Sequence, residues 1–234
     1  MKAFLLAAGL GTRLRPLTHN TPKCLIPING KPLLEYWIEL MGKHGITEVL
    51  ISLHHLADKV INFIRNHESQ SVTFQFYKEV ELLGSGGSLR ENKDFVSGEE
   101  SFFILYADNL TNINLTELLE YHKLKEQLFT MALNRVEDPH RCGIAELDQN
   151  GIVTSFIEKP KNPKSNLANA GIYVAKPEIL DLLSTTKIAD IGYDLLPQLI
   201  GRMAGWETKD YLIDIGTFEN LNRAGREWEL LTLQ

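Results

Sequence analysis

The chain predicts an α/β fold, a three-layer α/β/α sandwich built on a mixed, mostly parallel sheet. Three observations predict it. Apolar runs alternate with amphipathic ones through the first half, a loop rich in glycine and arginine follows the first apolar run, and the second half is dense in short strand-like runs.

KAFLLAA, from Lys2, reads as a buried strand. PLLEYWIELMGKHG carries apolar residues at helical spacing and stops at Gly45, and EVLISL reads as a second buried strand. LADKVINFIRNH predicts a helix, and VTFQFYKE alternates with the period of a half-exposed strand. LLGSGG predicts a turn leading into a short helical piece, and SFFILYAD is a continuous apolar strand ending on an acid. INLTELLEYHKL predicts a helix capped by Asn114 or Thr116.

FTMALNR, CGIAELDQ, GIVTSFIEK and NAGIYVAK then predict four strands, the second and third joined as a hairpin by the turn Gln149-Asn150-Gly151. PEILDLL and YDLLPQLIGRMAG are expected as helices, YLIDIG as a last strand, and a C-terminal helix begins at about Phe218. No repeat, low-complexity tract or Pro/Gly/Ser-rich linker divides the sequence. The expectation is one domain over residues 1–234, with a nucleotide-sized half (1–110) and a strand-rich half (111–234).

A chain of 234 residues can bury a sizeable core, and 44% hydrophobic with 23% charged residues is the balance of a globular protein. The net charge of −6 argues against a general nucleic-acid or anionic-membrane surface, so no nucleic acid and no membrane is expected as a partner. No run approaches the ~20 apolar residues of a membrane span, and the first residues read as a strand and not as a signal peptide. Cys24 and Cys142 show no zinc spacing and are expected as reduced thiols. The expected location is the cytoplasm. An oligomer is not predicted.

Any polyanion must meet a local cluster of cations, and AAGLGTRLRPLTHNTPK is one. A glycine loop after the first strand of an α/β sheet lies where ligands bind, and glycines let phosphate oxygens approach backbone N–H groups. The dinucleotide fingerprint GxGxxG needs glycine at position 14, where Leu14 stands, and no strand-end acid follows about 20 residues on. GxxxxGK[ST] has no match here either. What remains is Arg13, with Lys23 ten residues on behind Pro22, able to straddle a polyphosphate if the loop doubles back. Arg13, Arg15 and Lys23 can also be read as solvated surface charges.

At these residues the sequence resembles the sugar-nucleotide pyrophosphorylases, nucleotidyltransferases that join a sugar 1-phosphate to an NTP. GLGTRLRPLTHNTPK looks like their opening signature, and the resemblance runs from Met1 to about Trp228. ELLGSGGSL resembles their base-packing segment, LYADNL the strand-end aspartate that holds the metal, FIEKP and NAGIYV the sugar and sugar-phosphate segments, and LIDIGT the second metal-binding aspartate. The mannose- and heptose-1-phosphate guanylyltransferases are the closest in feel, through EVELLGSGG. The implied fold is the Rossmann-like nucleotide-diphospho-sugar transferase fold.

The resemblance implies in-line attack by a sugar-phosphate oxygen on the α-phosphorus of an NTP. Arg13 and Lys23 would be catalytic, on the leaving pyrophosphate and the α-phosphate. Ala7, Ala8, Gly9, Gly11, Thr12, Glu81 and Gly87 would bind nucleotide. Gly143, Glu158, Lys159, Asn169 and Gly171 would line the sugar-phosphate side, with Lys159 on the phosphate and Glu158 on sugar hydroxyls. Asp108 and Asp214 would hold Mg²⁺. The implied partners are an NTP, GTP ahead of UTP, and a sugar 1-phosphate of mannose or heptose type; the alternative is uridylyl or thymidylyl transfer to another sugar 1-phosphate.

Each residue also has a plainer reading. Asp108 and Asp214 can be strand-end turn residues, Glu158-Lys159 an exposed pair before Pro160, and Gly171 structural. His54-His55 reads as a strand-end loop pair, and Cys24 as a packing residue. Two departures from the family stand out: Ala107 replaces the usual glycine before the metal aspartate, and LGSGGSL the commoner LGTAGAL. No left-handed β-helix follows, so a single activity is expected. A silent regulatory subunit would be expected to lose Arg13, Lys23 or the aspartates, and a glycosyltransferase to carry a DxD motif where YADNL has one acid.

Overall fold

The computed structural model describes residues 1–67, 71–183 and 188–232. In chain order the strands and helices are β1 (Lys2–Leu6), β2 (Pro27–Ile28), β3 (Lys31–Pro32), α1 (Leu33–Lys43), β4 (Glu48–Leu53), α2 (Ala57–Arg65), β5 (Thr73–Lys78) and α3 (Gly84–Glu91). Then come β6 (Phe102–Tyr106), β7 (Asn109–Thr111), α4 (Leu115–Lys125), β8 (Phe129–Arg135), β9 (Gly143–Leu147), β10 (Val153–Glu158) and β11 (Leu167–Ala175). The chain continues through β12 (Met203–Glu207) and β13 (Leu212–Asp214) to α5 (Phe218–Thr232).

Continuous apolar strands are buried on both faces, and their alternation shows it. Ala3 and Leu5 of β1, Phe103 and Leu105 of β6, and Ile172 and Val174 of β11 pack into one core with α1, α2, α4 and α5. Their neighbours Phe4, Phe102, Ile104, Tyr173 and Ala175 face the opposite core, under α3 and the short turns at Pro177–Leu182 and Ile191–Leu199. That is the three-layer sandwich, with one central sheet between two helical layers.

β1 pairs in parallel with β4 and with β6, and β4 with β5. The sheet then turns antiparallel: β11 joins β6 and bridges to β8 and β9, and β10 pairs with β9. Leu6 lies opposite both Ser52 and Tyr106, so β1, β4 and β6 end on one edge. The glycine loop, His54-His55 and Asp108 leave the sheet together there, at the carboxyl edge where α/β proteins bind ligands.

Several expected elements are recovered. Asn114 caps α4, its Oδ1 accepting from the Glu117 N–H at 3.2 Å, and Gly151 takes φ +77° in the β9–β10 turn. Others differ. Tyr193–Gly205 is not one helix. The Asp190 carboxylate captures the N–H groups of Gly192 and Tyr193, Pro197 removes a helical donor, and Gly201 turns the chain at φ +78°. The end of that stretch is β12, parallel to β8, where Gly205 admits the side chains of Leu133 and Leu147. Residues 177–182 form a 3₁₀ turn instead of an α-helix. Within LLGSGG the glycines open α3 itself: the Gly86 and Gly87 N–H groups both donate to the Ala189 carbonyl, and a Cβ at Gly84 would strike that carbonyl.

Candidate active site

A small second sheet sets the two aspartates side by side. Asp108 lies in the turn between β6 and β7, and Asp214 ends β13 opposite Asn109 of β7. The Ile215 N–H donates to the Asp108 carbonyl at 3.0 Å, and Asn220 Nδ2 to the Asp214 carbonyl at 2.8 Å. Ala107 continues the β6 ladder, donating to the Leu6 carbonyl at 3.1 Å, and is not among the positive-φ residues. Alanine therefore serves before Asp108 without strain.

Both predicted cations reach this pair. Lys23 Nζ lies 2.6 Å from Asp108 Oδ2 and 2.9 Å from Asp214 Oδ1, and Arg13 Nη2 lies 3.6 Å from Asp214 Oδ2. Burial works against the Lys23 ammonium, but the charges and hydrogen bonds of Asp108 and Asp214 outweigh it and raise its pKa above 10.5. Lys23 is thus a fixed cation. A Cβ at Gly216 would fall 2.7 Å from Arg13 Nη2 and 2.9 Å from Lys23 Nζ, so a larger residue there would push the two cations from their present positions. Sequence reasoning missed Gly216, although it stands in the LIDIGT segment.

The glycine loop bends over the cluster. Gly11 takes φ +62° and opens the turn Thr12–Leu14 that carries Arg13. The Ala7 N–H donates to the Ser52 carbonyl at 3.1 Å, and Gly9 and Thr12 are exposed. A Cβ at Gly9 would meet no protein atom within 4 Å, so protein packing does not require glycine there. Gly87 is buried in α3, and Glu81 is exposed in the turn before it. The buried acid of that turn is Glu79, which accepts from the Leu83 N–H at 3.0 Å and from Ser88 Oγ at 2.5 Å. Its signal in the sequence is only its place, directly after the alternating strand β5.

On the other side, Glu158 ends β10 opposite Gly143 of β9, and a Cβ at Gly143 would fall 2.5 Å from Glu158 Oε2. Burial raises the Glu158 pKa above 4.5, Lys159 opposes the shift, and Asp190 adds to it. Lys159 takes φ +49° and reaches Glu158 at 3.8 Å. Asn169 Nδ2 donates to Tyr173 Oη at 2.7 Å, while Asn169 Oδ1 accepts the Gly171 N–H at 3.0 Å across an irregularity in β11. Gly171, at φ +67°, lies where a Cβ would be 3.1 Å from Asn109 Nδ2, so this side abuts the start of β7, next to Asp108. The Cys142 thiol, pushed up by burial, feels both Glu158 and Asp214. Asp190 is a further missed residue: it accepts from Ser85 Oγ at 3.0 Å and joins α3 to this recess.

The plainer readings hold for Cys24, whose thiol is pushed up to about 12 by burial. Both cysteines are free. Asp108 and Asp214 converge on one cationic atom, and a hard divalent ion takes such a pair together with substrate phosphate oxygens. Among the described residues no group of three His, Cys, Asp or Glu forms a protein-only metal cage, and no helix is long and apolar enough to cross a membrane.

A family model described as nucleotidyl transferase matches residues 2–229. The chain belongs to the nucleotidyl transferase family. Over 214 residues this nucleotidyl transferase is 33% identical to a UTP–glucose-1-phosphate uridylyltransferase of Synechocystis, covering 86% of this chain and 55% of the relative. It is 29% identical over 222 residues to mannose-1-phosphate guanyltransferase 2 of Candida glabrata, covering 92% and 61%. The chain thus spans little more than half the length of these curated relatives. Among solved structures, HddC from Yersinia pseudotuberculosis complexed with GMP-PN superposes with a TM-score of 0.82 at 26% identity, covering 97% of this chain and 99% of that one.

Proposed function

We propose that this nucleotidyl transferase moves a nucleoside monophosphate from an NTP to a sugar 1-phosphate, releasing pyrophosphate. One observation carries the reading. Lys23 and Arg13 gather on Asp108 and Asp214 at the carboxyl edge of the sheet, directly beside the recess of Glu158, Asn169 and Gly171.

In the proposed reaction a phosphate oxygen of the sugar forms a bond to the α-phosphorus. The bond from that phosphorus to the bridging oxygen of pyrophosphate breaks, and its electron pair leaves with the pyrophosphate. The nucleophile is already anionic near neutral pH, so no protein base is required, and the work is positioning and charge neutralisation. Arg13 holds the β- and γ-phosphates, and Lys23 moves from the carboxylates onto the α-phosphate. Lys159 holds the sugar phosphate in line, and Glu158 accepts from sugar hydroxyls. Ala7, Ala8, Gly9, Gly11 and Thr12 present the loop backbone to the nucleotide, with Gly87 and Glu81 beside the base. Asp108 and Asp214 would hold Mg²⁺, which would supply charge neutralisation at the phosphates.

GTP with a mannose- or heptose-type sugar is the proposed pair, on the EVELLGSGG segment and the guanyltransferase relatives. UTP is the alternative, favoured by the uridylyltransferase relative. The proposed location is the cytoplasm. A screen of four NTPs against a panel of sugar 1-phosphates, read by pyrophosphate release, tests the activity. Release with GTP and a mannose or heptose 1-phosphate is expected. No release with any pair would replace the enzyme reading by a silent nucleotide-sugar-binding subunit.

A further inference from the structure

His54 and His55 follow β4 directly. The two rings point to different elements. His54 Nδ1 bonds the Glu79 carbonyl at 2.9 Å, whereas His55 Nε2 bonds the Thr18 carbonyl at 2.7 Å, inside the glycine-arginine loop. A carbonyl oxygen only accepts, so His55 Nε2 carries the proton.

Thr18 is 1% exposed and passes this contact on. Its Oγ1 donates to the Gly11 carbonyl at 2.8 Å, and its Cγ2 fills the space in which a Cβ at Gly11 would sit. The same Gly11 carbonyl accepts the Leu14 N–H at 3.0 Å, which closes the turn carrying Arg13. Two side chains outside the loop hydrogen-bond its backbone: His55 at Thr18, and Lys59, whose Nζ reaches the Asn20 carbonyl. Of the two, Lys59 is exposed, and His55 is partly buried in the turn that follows β4.

We propose that His55 is a positioning residue for nucleotidyl transfer, fixing Arg13 on the nucleotide phosphates through Thr18 and Gly11. The inference rests on the proposed reaction for its kinetic consequence, but not for its structural one. His55→Ala leaves Thr18 unpinned, so the Arg13 turn moves relative to the sheet. A misplacement of about 1 Å costs on the order of 100-fold in rate for a group that acts by geometry. The sugar recess touches neither His55 nor Thr18, so the KM for sugar 1-phosphate is expected to stay within about twofold.

The test compares purified His55→Ala, His55→Gln and Thr18→Val with the parent. His55→Ala should lower kcat/KM for the NTP by about 10- to 100-fold. His55→Gln, whose amide nitrogen can donate to the same carbonyl, should recover most of the loss. Thr18→Val keeps the bulk but not the hydroxyl and should lose a similar factor. Combined with His55→Ala it should lose little more, because the two bonds act in series. Parent-like kinetics in a folded His55→Ala, a KM for sugar 1-phosphate raised tenfold or more, or a His55→Gln no better than His55→Ala would overturn the role.

Amide hydrogen exchange separates this inference from the reaction it serves. The Leu14 amide, which reports closure of the Gly11 turn, should exchange about tenfold faster in His55→Ala and Thr18→Val while β6 amides are unchanged. If the parent releases no pyrophosphate with any substrate pair, the proposed reaction fails and the exchange result decides the bracing by itself. Unchanged Leu14 exchange in both variants overturns it. Should His55→Ala not fold, Thr18→Val and His55→Gln carry the same comparison.

Discussion

The two sides of the cleft are built on different principles. On the nucleotide side, four charged side chains from distant parts of the chain meet within a few ångströms, and the backbone beneath them is regular strand end and short turn. On the sugar side, few charges meet. The recess is shaped by glycines at Gly143 and Gly171, by left-handed backbone at Gly171 and Lys159, and by an irregularity in β11. In the proposed reaction the first side neutralises charge and the second supplies shape. Damage should therefore appear mainly in turnover on the first side and mainly in substrate affinity on the second.

The largest expected effect comes from removing the ion that the carboxylates would hold. Excess EDTA should abolish pyrophosphate release, and added Mg²⁺ should restore it. Activity that survives chelation would remove Asp108 and Asp214 from a metal-holding role. A smaller and different effect is expected across the cleft. Glu158→Gln should raise the KM for sugar 1-phosphate about tenfold, the order expected for losing a charged hydrogen-bond acceptor, and leave the KM for the NTP nearly unchanged. A fall in turnover without a change in sugar KM would erase the distinction between the two sides.

The smallest effect concerns the support of the sugar side. His122 of α4 is buried, bonds Thr130 Oγ1 of β8 at 2.8 Å, and has its pKa lowered from 6.5 to about 4 by burial, with Lys176 and Lys123 adding to the shift. Between those two values the unfolded chain binds the proton and the folded chain does not. Stability is therefore full above pH 6.5 and falls as the pH drops toward 4. At pH 4.5 the loss should be about 2 kcal/mol. His122→Asn, which cannot titrate, should lose less stability than the parent between pH 7 and 4.5 in urea unfolding. An equal loss would mean that His122 is not the titrating group.

The same contrast explains what could be read from the sequence. The first half was legible because β1, β4 and β6 are continuous apolar runs flanked by amphipathic helices, a pattern with one physical solution. Lys23, Asp108 and Asp214 could be singled out because each stands directly against a proline or an apolar run, and Arg13 because it stands in the glycine loop of the family signature. The pairing of β7 with β13 that brings the aspartates together was not legible, since three-residue strands leave no periodic signal. Nor was β12, because MAGWE continues an apolar spacing that suits a helix until Pro197 and Gly201 are weighed. Glu79 and Asp190 escaped because a buried acid that binds backbone N–H groups looks, in sequence, like any surface acid.

Single-turnover pyrophosphate release at saturating substrates, compared between the parent and Lys23→Ala, tests the central claim most directly. If Lys23 neutralises the α-phosphate in the transition state, the rate should fall by about two orders of magnitude or more even when both substrates are fully bound. A single-turnover rate equal to the parent's would show that the cation between Asp108 and Asp214 takes no part in the chemical step.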